Sequence, residues 1–262
     1  MKYELDNIHI RLWPLLMAFA LHFLSSFVGI FNILNLPFLY IEVFVHELGH
    51  AVSSLITGGM SYRITMGAHG GDASVDGGNL KLVLFGGYLF PPLIGAVLYI
   101  MVNRSFESLI RALPYIWSGV ALVVGLLWVR DFMTFAFILM IWLVFRSLSA
   151  IESLRQVKLF LILVSYYLII SGFTAPYEAY DKYFGGDDDV TRLARLIGWP
   201  VRDTVYIWWG VTAFLSCLCI VNDYIVIFKG KIIEGYDELQ KYYPAKATKD
   251  DKNIDISGNG DW

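Results

Sequence analysis

The chain has 262 residues, of which 57% are hydrophobic and 16% charged. Soluble domains run nearer about 45–50% and about 25%, so an ordinary soluble domain is excluded. A net charge of −3 with no basic run offers no phosphate track, which excludes a nucleic-acid partner. Eight Trp, sixteen Tyr and eighteen Phe suit rings placed at a lipid–water boundary. The composition is that of an all-α polytopic protein with the lipid bilayer as its solvent.

A helix needs about 20 apolar residues to cross the hydrocarbon. Runs of that kind predict about six to seven transmembrane helices. The first covers residues 12–34, with Pro14 near its start, where a helix tolerates proline. It is too long for a signal peptide and lacks a small-residue cleavage site, so it is expected to stay as a span. His22 within it reads as a helix-contact residue. The second span, 36–57, contains "HELGH" from His46 to His50 and stops at Gly58-Gly59.

A polar, glycine-rich stretch follows. Its alternating runs "SYRITM" and "LKLVLF", separated by Gly and Asp, predict a short β-hairpin. The third span, 84–102, opens with "GGYLFPPLIGAV". Gly86, Gly87, Pro91 and Pro92 predict a broken or kinked helix, which a membrane tolerates only against protein or a water-filled cavity. These four are the candidate substrate-binding residues. The fourth span, 113–129, ends at Arg130-Asp131 and the fifth, 132–148, follows at once. The sixth is 157–173 and the seventh 205–228, joined by an Asp-rich loop. Cys217 and Cys219 lie two apart in the last span and point in different directions, so they are not expected to bridge. Residues 1–230 thus read as one multi-span membrane domain, and 231–262 as a polar, disordered tail.

The crossings put several landmarks on one side of the membrane. The C-terminal half of the second span, the hairpin, the start of the third span, the Arg130-Asp131 junction and the Asp-rich loop all converge there. Lys and Arg divide too evenly between the two sides for the positive-inside rule to orient the chain.

An ionisable side chain at mid-bilayer costs about 2.5–3.5 kcal/mol on insertion scales, so HELGH marks a functional site. Residues four apart share one helix face. His46 and His50 can therefore offer two imidazoles to one zinc ion, with Glu47 beside them as general base. Zinc lowers the pKa of a coordinated water to about 7. A catalytic zinc takes a third protein ligand, so another His, Asp or Glu is needed on the same side.

The ordered landmarks "HELGHAVSSLITGG", "GGYLFPPLIGAV", "WVRDFM" and "DDDVTRLARLIGWP" resemble those of the site-2 proteases, the intramembrane zinc metallopeptidases. The closest resemblance is to their compact branch, which lacks PDZ and CBS domains. It covers about residues 36–209. It implies hydrolysis of peptide bonds in membrane-protein substrates, with His46 and His50 on the zinc, Glu47 as base and an Asp as third ligand. The family's Leu-Asp-Gly is missing here. Asp131 stands at the expected order along the chain, whereas Asp189 fits an Asp-x-x-x-Leu-Ala pattern of the compact branch. Each has a second reading, as cap of the fifth span and of a short helix ending at Gly198. Asp189 is favoured over Asp131, with Asp188 a further candidate. Two other functions fit the same residues: an ion- or partner-binding transporter or scaffold, and an inactive relative of the peptidases.

Overall fold

The computed structural model describes residues 8–25, 27–67, 70–182 and 188–242. In chain order they form α1 (Ile8–Leu24), α2 (Gly29–Ile56), β1 (Met60–Gly67), β2 (Gly70–Asp76), α3 (Leu80–Arg104), α4 (Glu107–Trp128), α5 (Phe132–Leu148), α6 (Leu154–Lys182), α7 (Asp189–Ile197) and α8 (Val201–Tyr242). Five helices, α2, α3, α4, α6 and α8, are long and apolar enough to cross a membrane, while α1 and α5 are apolar but shorter. The protein is an integral, multi-pass membrane protein.

The first boundary falls at Leu24, not at Leu34 as the apolar run suggested. A turn closes there, with the amides of Phe27 and Val28 donating to the Leu24 carbonyl at 3.0 and 2.9 Å, and Ser25 Oγ to that of His22. Hydropathy alone cannot see this break, because the residues on both sides are equally apolar. The helix restarted at Gly29 then runs 28 residues, through Pro37, and carries HELGH in its C-terminal half. His22 is a helix contact, as expected. Its ring stacks on Tyr167 of α6 at 4.0 Å, and its Nε2 lies 3.2 Å from the Tyr167 carbonyl.

The hairpin is present, but its second strand is "GGDASVD" and not "LKLVLF". Gly77 and Gly78, at φ of +71° and +78°, turn the chain out of the sheet in a conformation that glycine adopts without strain. Asn79 then caps α3, its side chain accepting from the amides of Lys81 and Leu82 at 3.1 and 3.4 Å. Leu80 to Phe85 are therefore the first turns of a helix.

The predicted break in the third span is also absent: α3 is helical through Gly86, Gly87, Pro91 and Pro92. Neighbouring helices make this possible. α3 is the central element, packed on α2 along one side and α6 along another. Glycines let the backbones approach. A Cβ on Gly49 would lie 2.5 Å from the Gly86 carbonyl oxygen, and one on Gly172 would lie 2.8 Å from Pro92 Cγ. Tyr40, Phe44, Ile64, Tyr99 and Leu161 fill the core between these helices.

Of the segment read as a tail from residue 231, the part up to Tyr242 is helical, as the end of α8, and residues 243–262 lie outside the described residues. The described residues up to Val221 form one compact unit, which holds every group of the site.

Candidate metal centre

In α2 the spacing of four places His46 and His50 one above the other, with their Nε2 atoms 3.1 Å apart. The outward nitrogen of each is left for a ligand because its ring is held from elsewhere. His50 Nδ1–H donates to the Val83 carbonyl of α3 at 2.8 Å, which fixes the tautomer and leaves the Nε2 lone pair available. The His46 ring meets Tyr88 edge-on at 4.6 Å. Tyr88 in turn packs on Trp208 at 5.2 Å, and Trp208 Nε1 donates to the Phe85 carbonyl.

The third group arrives from α7. Asp189 Oδ2 lies 2.9 Å from His50 Nε2 and 3.3 Å from His46 Nε2. Among the described residues this is the one group of three or more His, Cys, Asp and Glu side chains that could hold a metal ion. Burial pushes the Asp189 carboxyl up, but the two imidazoles against it outweigh that and hold the group well below the usual range.

Asp131 does not join this cluster. Its carboxylate caps α5, accepting from Thr134 N at 2.9 Å and Thr134 Oγ1 at 2.8 Å, while Arg63 stands 4.0 Å away. The amide of Thr134 and the other bonds to the anion lower its pKa. Asp188 does the same for α7, accepting from Thr191 N at 2.9 Å and Thr191 Oγ1 at 2.8 Å. The two caps share one pattern, Asp-x-x-Thr, in "DFMT" and "DDVT". The cap of α7 is therefore Asp188 and not Asp189, as the second sequence reading had it, and Asp189 is left to turn inward.

The donors fit a zinc ion. With bonds of about 2.0–2.1 Å, a tetrahedral ion separates its ligand atoms by about 3.3 Å, close to the spacings seen here. Gly87 opens the space. A Cβ there would press on His50 Nε2 and lie 2.8 Å from His46 Nε2. Glu47 adds an orphan: it is only 2% exposed, and its Oε2 has no hydrogen-bond partner among the described residues. Gly71 of β2 covers the other oxygen so closely that a Cβ would come within 2.5 Å of Oε1.

These groups open into a cavity of about 1000 Å³. Val83, Leu84 and Tyr88 of α3 line it, as do β2 residues 70–75. Gly86, Gly87, Pro91 and Pro92, the candidate substrate-binding residues of the sequence, are buried in α3 and are not among the residues that line it. The sequence reading also overlooked Gly71, Val83 and Tyr88. Only Gly71 carried a signal, as part of a Gly-Gly pair.

Comparison with known proteins supplies a family. Residues 15–222 match the family described as Peptidase M50B-like. No curated protein and no solved structure matches. The family match runs from within α1 to the middle of α8 and includes both HELGH and Asp189. The chain belongs to the Peptidase M50B-like family, membrane metallopeptidases of the site-2 protease kind.

Proposed function

We propose that the protein is an intramembrane zinc metalloendopeptidase that hydrolyses peptide bonds of membrane-protein substrates. The observation that carries this reading is the meeting of Asp189 Oδ2 with both imidazoles of HELGH, 143 residues away from His46 in the chain. His46, His50 and Asp189 would hold the zinc. When bound, zinc supplies a Lewis acid and makes hydroxide available near neutral pH.

The chain's own groups do the rest. Glu47 accepts the proton of the attacking water on a carboxylate oxygen, then delivers it to the departing amide nitrogen. Its unpartnered Oε2 is available for that transfer because no hydrogen bond holds it elsewhere. His50 stays aligned through Val83, and the His46 ring through Tyr88. Zinc retention and cleavage of a reconstituted single-span substrate test the reading together. The purified protein should carry about one zinc per chain. Chelation should stop cleavage and added zinc restore it. Cleavage unaffected by complete zinc removal would overturn the assignment.

A helical substrate hides its carbonyls in internal hydrogen bonds and must be held extended to be cut. β2 is suited to receive it by strand addition. β1 pairs with one edge of β2, and its own outer edge is engaged at Met66, whose amide donates to Thr134 Oγ1 at 2.8 Å. β2 keeps a second edge, and its residues 70–75 line the cavity. Cysteines placed at positions 72–75 should be shielded from water-soluble thiol reagents by a zinc-binding peptide inhibitor. A cysteine at Phe106, exposed beyond the far end of α3, should not change. Equal labelling of positions 72–75 with and without inhibitor would rule out this edge.

A further inference from the structure

The cavity extends beyond the metal centre, back along α2 toward Leu39. Glu42 lines this arm, one helical turn before His46 and on the same face. Across from it, α6 contributes Ala175 and Ala179, four residues apart, with Glu178 between them. Their small side chains leave room for a long one to enter. Glu178 lines the same arm. Among the described residues no hydrogen bond or ion pair engages the Glu42 carboxylate. Arg192 is the one Lys or Arg lining the cavity, and it forms no ion pair with Glu42 among the described residues.

A carboxylate in a membrane span costs free energy and normally finds a partner. Here none of the described side chains supplies one, and the vacant space in front of it is continuous with the metal centre. An apolar occupant would leave that carboxyl without a hydrogen-bond partner. A lysine or arginine would supply both the charge and the length.

We propose that Glu42 is a specificity-determining residue that receives a lysine or arginine side chain of the substrate. One turn of α2 separates Glu42 from His46 by about 5–6 Å, and an extended chain advances about 3.3 Å per residue. The basic residue therefore falls within about two positions of the cleaved bond. This inference rests on the peptidase reading above and names the substrate class for that site.

The test is a series of single-span substrates carrying Lys, Leu or Glu, one at a time, at the two positions on each side of the cleaved bond. Cleavage is measured with the wild-type protein, and binding of the matching labelled peptides with the non-cleaving Glu47→Gln protein. At one position Lys should exceed Leu by about tenfold or more in both readouts, as for a charge-assisted hydrogen bond. Adding Glu42→Gln should bring the Lys-to-Leu ratio close to unity, and Glu42→Lys should reverse it in favour of Glu. The reversal keeps the test decisive should Glu42→Gln fold poorly. Equal handling of Lys and Leu by the wild-type protein, or a Lys preference that survives both substitutions, overturns the proposal. Selective binding without any wild-type cleavage would sink the peptidase reading and support the subsite. Cleavage without charge preference would sink the subsite alone.

Discussion

Asp189→Asn is expected to strip the purified protein of zinc and end cleavage, while Asp131→Asn and Asp188→Asn leave both nearly intact. The carboxylates of the three aspartates do different work. Asp189 Oδ2 approaches two imidazoles within 2.9 and 3.3 Å and has no capping bond. An amide in its place offers a neutral oxygen and no compensating charge. Substituting an outer-shell partner of a metal ligand costs about 10–100-fold in affinity, and loss of the ligand itself should exceed that. Asp131 and Asp188 each accept from the amide and hydroxyl of a threonine three residues on. Asn caps nearly as well as Asp, so each change should cost a few tenths to about 1 kcal/mol, read as a small drop in melting temperature. Metal content by elemental analysis and melting of the three variants decide the matter. Zinc retained in Asp189→Asn, with zinc lost in Asp131→Asn, would transfer the ligand role to Asp131.

What the sequence conceals follows a physical pattern. HELGH, its position in a span and the short helix before Gly198 were all legible, because each rests on local spacing. Gly198 indeed ends α7 in the left-handed region at φ +73°. The fifth helix was read to the residue, since Asp131 and the apolar run mark its start without ambiguity. The hairpin's second strand was not legible. Alternation of apolar residues reports a strand with one face in a core, and "GGDASVD" has little such face because β2 lines a cavity. "LKLVLF" has the alternation by accident, and the cap at Asn79 decides for helix.

The proline-glycine run of α3 misled for a related reason. Pro and Gly disrupt a helix that stands alone, but in a bundle they also mark where backbones touch. Gly86 packs against Gly49, and Pro92 against Gly172. Gly87 has the most direct bearing on the site, because only a residue without a Cβ leaves the space before the two Nε2 atoms open. Its contribution depends on a contact between α2 and α3 that no local pattern encodes.

Glu47→Gln is expected to keep the fold and the zinc and to lower the cleavage rate by about 10²–10⁴-fold, the usual contribution of a general base. Gln preserves the shape of the side chain, which matters here because Gly71 lies against Oε1 with no space for anything larger. It removes the ability to take a proton, since an amide oxygen is far too weak a base at neutral pH. The fold should not suffer. Glu47 Oε2 has no hydrogen-bond partner to lose, and a buried charge without a partner gains nothing for stability. Zinc should stay because Glu47 lies outside the His46, His50 and Asp189 set. The three readouts are zinc content, melting temperature and the rate of substrate cleavage. A variant that keeps its metal and still cleaves within a few-fold of wild type would remove Glu47 from the proton transfer. A variant that loses its zinc would instead make Glu47 part of what holds the metal.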